Sequence, residues 1–315
     1  MNILFIVDPL HGFNIKKDST YAMMRQAVAR GHQISVCHIE HLRAVPGGAI
    51  QASTTAISLN NDSSAWYTSD ELQNRSLNFF DAVLMRKDPP FDLEYFYATH
   101  LLEHAQRQGA RVFNSGAALR NHPEKLAILE FPQFTAPTLV ARDMEALKRF
   151  YEQYGDVVYK PLDGMGGTGV FRAGPAERNL NVILETLTAM GTQSIMAQQF
   201  LPEISQGDKR ILLIAGVPVP YCLARIPRAG ETRGNLAAGG VGVAQPLSSS
   251  DRQIAEAVGP ILASRGLFLV GIDVIGDKLT EINVTSPTCF QEITDQTSCK
   301  VAQLFIEALE KQVAR

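Results

Sequence analysis

The run from Phe268 to Val284 restricts the possible folds of this chain more than any other stretch, because it specifies its own pairing. β-forming residues on either side of Gly276-Asp277-Lys278 read as a hairpin, with strands from Phe268 to Ile275 and from Leu279 to Val284. Side chains alternate between the two faces of a strand. Phe268, Val270, Ile272 and Val274 therefore share an apolar face; on the return strand Thr280, Ile282 and Val284 share one face, Glu281 and Asn283 the other. A three-residue loop sets Ile275 opposite Leu279 and Asp273 opposite Glu281, whereas a two-residue loop would slip the pairing by one and bury the carboxylates. The three-residue register is the expected one. It gathers Asp273, Glu281 and Asn283 on one platform, an all-oxygen set without His or Cys that suits Mg²⁺ completing its shell with phosphate oxygens. An ordinary hairpin with a solvated polar face would carry the same residues, so the choice rests on the remainder of the chain.

The chain has 315 residues, 45% hydrophobic and 19% charged, a globular composition with room for two or three domains. A net charge of −3 gives no electrostatic case for nucleic acid or acidic membranes. Cys37, Cys222, Cys289 and Cys299 form no C-x-x-C pair and no metal-ligand spacing, and read as reduced thiols of a cytosolic protein. No basic region precedes the first apolar run, so a signal peptide is not expected. The apolar stretch from Ile211 to Ile226 is broken by Gly216, Pro218 and Pro220 and cannot span a membrane. All seven histidines lie at or before His122. Chemistry beyond that point must run without an imidazole base, which disfavours triad hydrolases and favours a metal-and-phosphate mechanism.

In chain order, a strand from Asn2 to Val7, a helix capped by Asp18 or Ser19 and stopped at Gly31, and a strand from His32 to Cys37 make a β-α-β unit. The polar stretch from Leu42 to Asn78 reads as a sheet extension or surface insert turning at Pro46-Gly47-Gly48. A third strand, Ala82 to Met85, runs into Arg86-Lys87-Asp88-Pro89-Pro90, a stiff loop at a strand C-terminus, where open α/β sheets bind ligands. Arg86 is thus a candidate carboxylate clamp, or else a solvated turn arginine. The helix from Glu94 to Gln108 holds a literal H-x-x-E-H at His100 to His104, but it connects two strands and no later histidine follows, so zinc is not expected there.

The strand from Gly155 to Lys160 enters Pro161-Leu162-Asp163-Gly164-Met165-Gly166-Gly167-Thr168-Gly169, whose glycines let backbone N–H groups close on an anion. A dinucleotide fold would need a helix to start within this G-x-G-x-x-G, yet Val170-Phe171-Arg172 reads as strand and Gly174-Pro175 blocks a helix. Strand, glycine flap, strand is the expected order. A helix from Asn179 to Met190 precedes a strand from Ser194 to Gln199, and its exit through Phe200-Leu201-Pro202 suits an adenine edge and face. Asp208 and Arg210 share a strand face, a possible ribose-and-phosphate pair. After the strand from Tyr221 to Ile226, the segment from Pro227 to Gly242, with Arg228 and Arg233 as its only cations, reads as a mobile lid. Helices from Asp251 to Arg265 and from Asp295 to Val313 flank the hairpin.

The chain resembles the bacterial (prokaryotic-type) glutathione synthetase family of ATP-grasp ligases. The segments that carry the likeness are NIKKDS at residues 14–19, MRKDPPFD at 85–92, KPLDGMGG at 160–167, VPYCLARIPRAGETRGNLAAGG at 219–240 and LTEINVTSPTC at 279–289. The resemblance implies an ATP-grasp fold preceded by a Rossmann-like (pre-ATP-grasp) α/β domain, with domains at 1–122 and 123–315, the latter divided into a lid subdomain at about 123–200 and a metal and catalytic subdomain at about 201–315. It implies Lys125, Lys160, Gly164, Gly166 and Gly167 on ATP phosphates, Gln198, Gln199, Phe200 and Leu201 around adenine, Asp208 on ribose and Arg210 facing the phosphates. Asp273, Glu281 and Asn283 would hold Mg²⁺ (or Mn²⁺). Arg225, Arg233, Asn235 and Ser286-Pro287-Thr288 would meet the peptide substrate and the developing charge, with Arg86 as a further clamp. Phe200 stands where the family pattern leads us to expect tyrosine, Val241 and Val243 end the lid without charge, and His11-Gly12 alters the first loop. The implied reaction is ATP-dependent condensation of γ-glutamylcysteine with glycine through an acyl phosphate, in a cytoplasmic homotetramer, with no nucleic-acid or membrane partner. Another carboxylate–amine ligase of the same fold (D-alanine ligase-like or glutamate-adding), a non-catalytic nucleotide binder and a nicotinamide-dependent oxidoreductase are the alternatives.

Overall fold

The computed structural model describes residues 1–228, 230, 231, 234, 236 and 239–314, which form three sheets. The first is built from β1 (Asn2–Ile6), β2 (Gln33–Cys37), β3 (Leu42–Ala44), β4 (Ile50–Leu59), β5 (Tyr67–Ser69), β6 (Gln73–Ser76), β7 (Ala82–Met85) and β8 (Val112–Phe113). Its order is β3-β4-β2-β1-β7-β8, with β5 and β6 also on β4, and β2, β1, β7 and β8 run parallel. Helix α1 (Ser19–Ala29) starts where the Asp18 carboxylate accepts the Tyr21 N–H at 2.8 Å, and α2 (Leu93–Arg107) starts the same way on Asp92. Helix α3 (Gly116–Asn121) completes this part. On α2, Glu103 pairs with Arg107 and Arg120, and His100 packs edge-on against Phe96.

The second sheet, order β11-β10-β12-β9, is antiparallel and comprises β9 (Thr138–Ala141), β10 (Val157–Pro161), β11 (Phe171–Ala173) and β12 (Ile195–Gln199). Helices α4 (Met144–Tyr154) and α5 (Leu180–Leu187) cover one face through a small separate core that includes Leu147, Val157, Tyr159, Leu184 and Ile195. The third sheet runs β15-β14-β13-β16-β17, from β13 (Asp208–Ile214), β14 (Val217–Ile226), β15 (Val241–Pro246), β16 (Leu269–Ile275) and β17 (Lys278–Asn283). Helices α6 (Ser249–Ser264), α7 (Phe290–Gln296) and α8 (Val301–Val313) accompany it. Alternate residues of β13 enter two different cores, Ile211 and Leu213 one, Leu212 and Ile214 the other, and both cores also contain residues of β1. The first and third sheets thus bury apolar surface jointly on both faces, at about 25 cal/mol per Å². Asn114 latches them: its amide donates to Leu269 O (2.7 Å) and Val284 O (2.8 Å), and its carbonyl accepts from the N–H of Phe268 and Leu269.

The glycine flap lies between two antiparallel strands, β10 and β11, as expected from Gly174-Pro175. Four expectations are corrected. The hairpin loop has two residues, since Ile275 pairs with Lys278 and not with Leu279; a bulge at Thr280 then restores Asp273 opposite Glu281 and Gly271 opposite Asn283. The same bulge turns Leu279, rather than Thr280, into the core beside Ile282, while Thr280 faces the cavity described below. The closing helix is two helices, because Thr297 Oγ1 bonds back to Ile293 O and takes up the Cys299 N–H, and Thr294 Oγ1 takes up the Val301 N–H. Finally, β9, α4 and β15 were not foreseen: Gly155, read as the start of a strand, is the left-handed cap of α4, and β15 takes up Val241 and Gly242 from the end of the supposed lid. Arg233 and Asn235 lie outside the described residues.

Candidate active site

A cavity of about 380 Å³ lies between the second and third sheets, with Asp88 and Pro89 from the first-sheet loop at one end. Its floor is set by register. Across four neighbouring strands Leu223, Arg210, Asp273 and Glu281 stand in one row, and Arg225, Asp208 and Ile275 in the next but one. Gly271, opposite Asn283, is needed here: a Cβ would come within 2.8 Å of Arg210 Cδ. The Arg210 side chain crosses that space to grip Asp273 through Nε–Oδ1 and, at 2.9 Å, Nη2–Oδ2. Arg225 Nη2 bonds Asp208 Oδ2 and reaches Asp273 Oδ2 at 2.8 Å, and the Asn283 amide donates to Asp273 Oδ2 (3.2 Å) and Gly271 O (3.1 Å).

Burial alone would raise the Asp273 carboxyl, but the Arg210 and Arg225 guanidiniums override it and hold the group well below the usual carboxylate range. Burial pushes Asp208 up to about 6 against the pull of Arg225, with Asp273 and Glu281 adding repulsion. Among the described residues Asp208 Oδ1 is buried without a hydrogen-bond partner, an acceptor that a ligand hydroxyl would satisfy. The two arginines are buried, so each depends on these carboxylates for its counter-charge.

The residues present fit a hard divalent cation. Asn283 spends its amide nitrogen on protein acceptors, which leaves its carbonyl oxygen as the atom that would coordinate, on the strand face it shares with Glu281. Asp273 Oδ2 already accepts from three donors, so Oδ1 is its better-placed contribution. Lys125 Nζ stands 3.2 Å from Glu281 Oε1 and donates to Gly164 O at 3.0 Å, joining flap to platform. Lys160 Nζ donates to Thr280 O at 3.3 Å; burial depresses its pKa, with Lys125 adding to that and Glu281 opposing it.

Above the floor, Gly164, Gly166 and Gly167 line the cavity, all at positive φ, a backbone region that glycine enters without steric cost. Gln198, Gln199, Phe200 and Leu201 form one wall. The N–H groups of Gln199 and Phe200 are taken up by Pro137 O and Asp156 O, so a ligand at this wall would be met by other groups. The Phe200 ring carries the Arg172 guanidinium 3.6 Å from its centroid, itself held by two bonds to Asp156. Ser286 and Thr288 line the cavity, whereas Pro287 lies behind it, its carbonyl accepting from Arg86 Nη2 at 2.9 Å. Arg86 does not join the main cavity; it borders a second one. Val241 and Val243 are exposed on the edge strand β15.

Glu124 joins the site unannounced by the sequence: its Oε1 accepts from Val284 N, Thr285 N and Thr285 Oγ1 at 2.8–3.0 Å and its backbone O accepts from Ile282 N. It thereby fixes the exit of β17 into the 286–288 loop. Burial raises its pKa, with Glu281 adding to the effect. Nothing local in the sequence marks Glu124 except its place beside Lys125. Arg172 and Asp88 were also not expected in the site.

The fold and a cavity of this kind define an ATP-grasp ligase. The structure superposes on a D-cycloserine synthetase, DcsG, with TM-score 0.68 at 16% identity and 99% of each chain covered. It superposes on the ATP-grasp ligase PsnB complexed with minimal precursor, Mg and ADP, with TM-score 0.62 at 19% identity, covering 100% of this chain and 98% of that one. Family models describe residues 1–120 as prokaryotic glutathione synthetase, N-terminal domain, and residues 124–298 as its ATP-grasp domain. The glutathione synthetase of Ralstonia nicotianae is 58% identical over 315 residues, covering 100% of this chain and 97% of the relative. That of Nitrosomonas europaea is 56% identical over 317 residues, with 100% and 99% covered. The chain belongs to the prokaryotic glutathione synthetase family.

Proposed function

We propose that the chain condenses γ-glutamylcysteine with glycine at the expense of ATP, releasing glutathione, ADP and phosphate. The single observation that carries the assignment of roles is the convergence, in one cavity, of an oxygen-only metal platform, two lysines and two buried arginines. Mg²⁺ (or Mn²⁺), held by Asp273, Glu281 and Asn283, would supply positive charge to the transferring phosphoryl group. Lys125, Lys160 and the flap amides at Gly164, Gly166 and Gly167 bind and orient the phosphates. Gln198 to Leu201 receive the adenine, and Asp208 Oδ1 accepts a ribose hydroxyl.

The γ-phosphoryl passes to the cysteinyl carboxylate, the glycine amine attacks the acyl phosphate, and the tetrahedral adduct collapses with loss of phosphate. Arg210 and Arg225 face the charge that develops on these oxygens, already fixed in place by Asp273 and Asp208. Ser286 and Thr288 border the reacting carboxylate, with Pro287 and Arg86 behind them. Arg233 and Asn235 are assigned, from sequence, to the segment that excludes water from the acyl phosphate. Buried free cysteines support a reducing, cytoplasmic setting, and no helix among the described residues is long and apolar enough to cross a membrane. We place the domain boundary at 122/123, with the lid subdomain ending near residue 200, and assign a homotetramer on family resemblance.

Phosphate release from ATP, with each component omitted in turn, tests the proposal. Release should require divalent metal, γ-glutamylcysteine and glycine together. Equal turnover with D-alanine alone, or reduction of a nicotinamide, would overturn it.

A further inference from the structure

The four-stranded sheet turns one row of side chains toward the main cavity. Register sets Arg172, Val158, Gln198 and Thr138 side by side across β11, β10, β12 and β9, on the face opposite the small core of Val157, Tyr159, Ile195 and Ala197. Arg172, Val158 and Gln198 line the cavity, whereas Thr138, on the edge strand, does not. Its hydroxyl is nevertheless used twice: Thr138 Oγ1 donates to Ala136 O at 2.8 Å and accepts from Gln198 Nε2 at 2.9 Å. Gln198 is buried, only 6% exposed, so the way its amide lies is a property of the wall.

The two bonds in series settle which way round that amide is. A hydroxyl has one proton, and here it is spent on the Ala136 carbonyl, so toward Gln198 the oxygen can only accept. Nε2 must therefore face Thr138. Turning the amide over would set Oε1 against the hydroxyl lone pairs, or oblige the hydroxyl to abandon the carbonyl of buried Ala136. Gln198 lines the cavity and Thr138 does not, so the end of the amide away from Thr138, Oε1, is the one a ligand meets. The neighbouring N–H groups of Gln199 and Phe200 are engaged by Pro137 O and Asp156 O and offer no donor at those positions. A purine with a 6-amino group brings a donor to such an acceptor. A 6-oxo purine brings a second acceptor, and both are left unsatisfied.

We infer that Thr138, which does not itself line the cavity, is the positioning residue that makes the nucleotide site select 6-amino over 6-oxo purines, by fixing the Gln198 amide with its oxygen toward the base. The inference rests on the ligase reading above and deepens it. That reading sets a purine against this wall, and the Thr138 hydroxyl decides which purine.

The test is steady-state kinetics of the full chain with ATP and with inosine triphosphate, which carries a 6-oxo group where ATP has the 6-amino group. For the unaltered chain kcat/KM should favour ATP about 100-fold. Thr138→Val keeps the shape of the side chain but loses both hydrogen bonds, so the Gln198 amide can turn over; the preference should shrink at least about 10-fold. Thr138→Ala, which also lacks the hydroxyl, should act in the same direction. Thr138→Ser keeps the hydroxyl and should stay within about 3-fold of the native ratio, with the KM values for γ-glutamylcysteine and glycine unmoved in all three variants. Thermal melting verifies that each variant is folded. Equal use of the two nucleotides by the unaltered chain, a ratio unmoved by Thr138→Val and Thr138→Ala, or a Thr138→Ser change as large as theirs would overturn the inference. No turnover by the unaltered chain with γ-glutamylcysteine, glycine and either nucleotide would instead reject the ligase reading itself.

Discussion

The five-stranded sheet that carries Asp273 and the four-stranded sheet that carries Lys160 face the same cavity but are built differently. β13 and β16 are buried along nearly their whole length and contribute to two cores shared with the first sheet. β9 is only partly buried throughout, β11 exposes two of its three residues, and the sheet they belong to rests mainly on one small core under α4 and α5. Charges follow the same division. On the platform Arg210, Arg225, Asp208 and Asp273 are locked to one another, whereas the flap is tied to the platform through Lys125 and Gly164. A buried ion cluster needs walls that do not yield, and the proposed phosphate clamp would need a cover that opens. The two sheets meet these needs separately.

The largest effect should come from the platform. Asp273→Asn removes the anion shared by two buried guanidiniums and one proposed metal ligand together. Turnover should fall by at least about 10³-fold, and urea unfolding should show a loss of about 3–5 kcal/mol. A variant with unchanged stability would mean that the arginines are solvated and the platform is not rigid.

Leu184→Ala sharpens the contrast from the other side. The residue is fully buried in the small core under α4 and α5, so the cost should be about 2–5 kcal/mol, but confined to 138–199. Hydrogen exchange should accelerate in β9 to β12 and leave β13 and β16 unchanged. Equal acceleration in both sheets would make them one cooperative unit.

Lys125→Met cuts the tie between flap and platform. We expect about a 10-fold higher KM for ATP and at most about 2 kcal/mol lost, since its partner Glu281 keeps solvent contact. ATP affinity unchanged by the substitution would remove Lys125 from the phosphate site.

The smallest effect concerns the thiols. Burial pushes the Cys37 thiol up to about 12 and Cys222 up to about 11, and raises Cys289 and Cys299 as well. All four stay protonated near neutrality, and thiolate would appear only as pH climbs toward those raised values. Replacing the four by serine or alanine should leave ligase activity in whatever folds, and the native chain should react slowly with Ellman's reagent between pH 7 and 9. Complete inactivity of a folded Cys289→Ala variant would give that residue a role.

What could be read from the sequence follows the range of the interactions. Helix α1 was legible because Asp18 and Gly31 are local signals, and β7 because four apolar residues run into two prolines. The signals for α4, Asp143 at its start and Gly155 at its end, were present but unread. The bulge at Thr280 had no local mark. The carboxylate register nevertheless held, since a two-residue loop plus one bulged residue places Asp273 opposite Glu281 just as a three-residue loop would. The grip of Arg210 and Arg225 on Asp273 depends on which strands neighbour which, and no spacing along the chain specifies that β13 lies between β14 and β16. Glu124, 160 residues away from Val284, is invisible for the same reason.

Hydrogen exchange of the chain alone and with Mg²⁺ and a non-hydrolysable ATP analogue tests most directly whether the platform is preassembled and the cover closes on nucleotide. Amides of β13 and β16 should be equally protected in both states, and those of the flap at 162–170 should gain at least about tenfold protection only with nucleotide. Protection of the flap already in the free chain, or of β13 and β16 only after nucleotide binds, would contradict it.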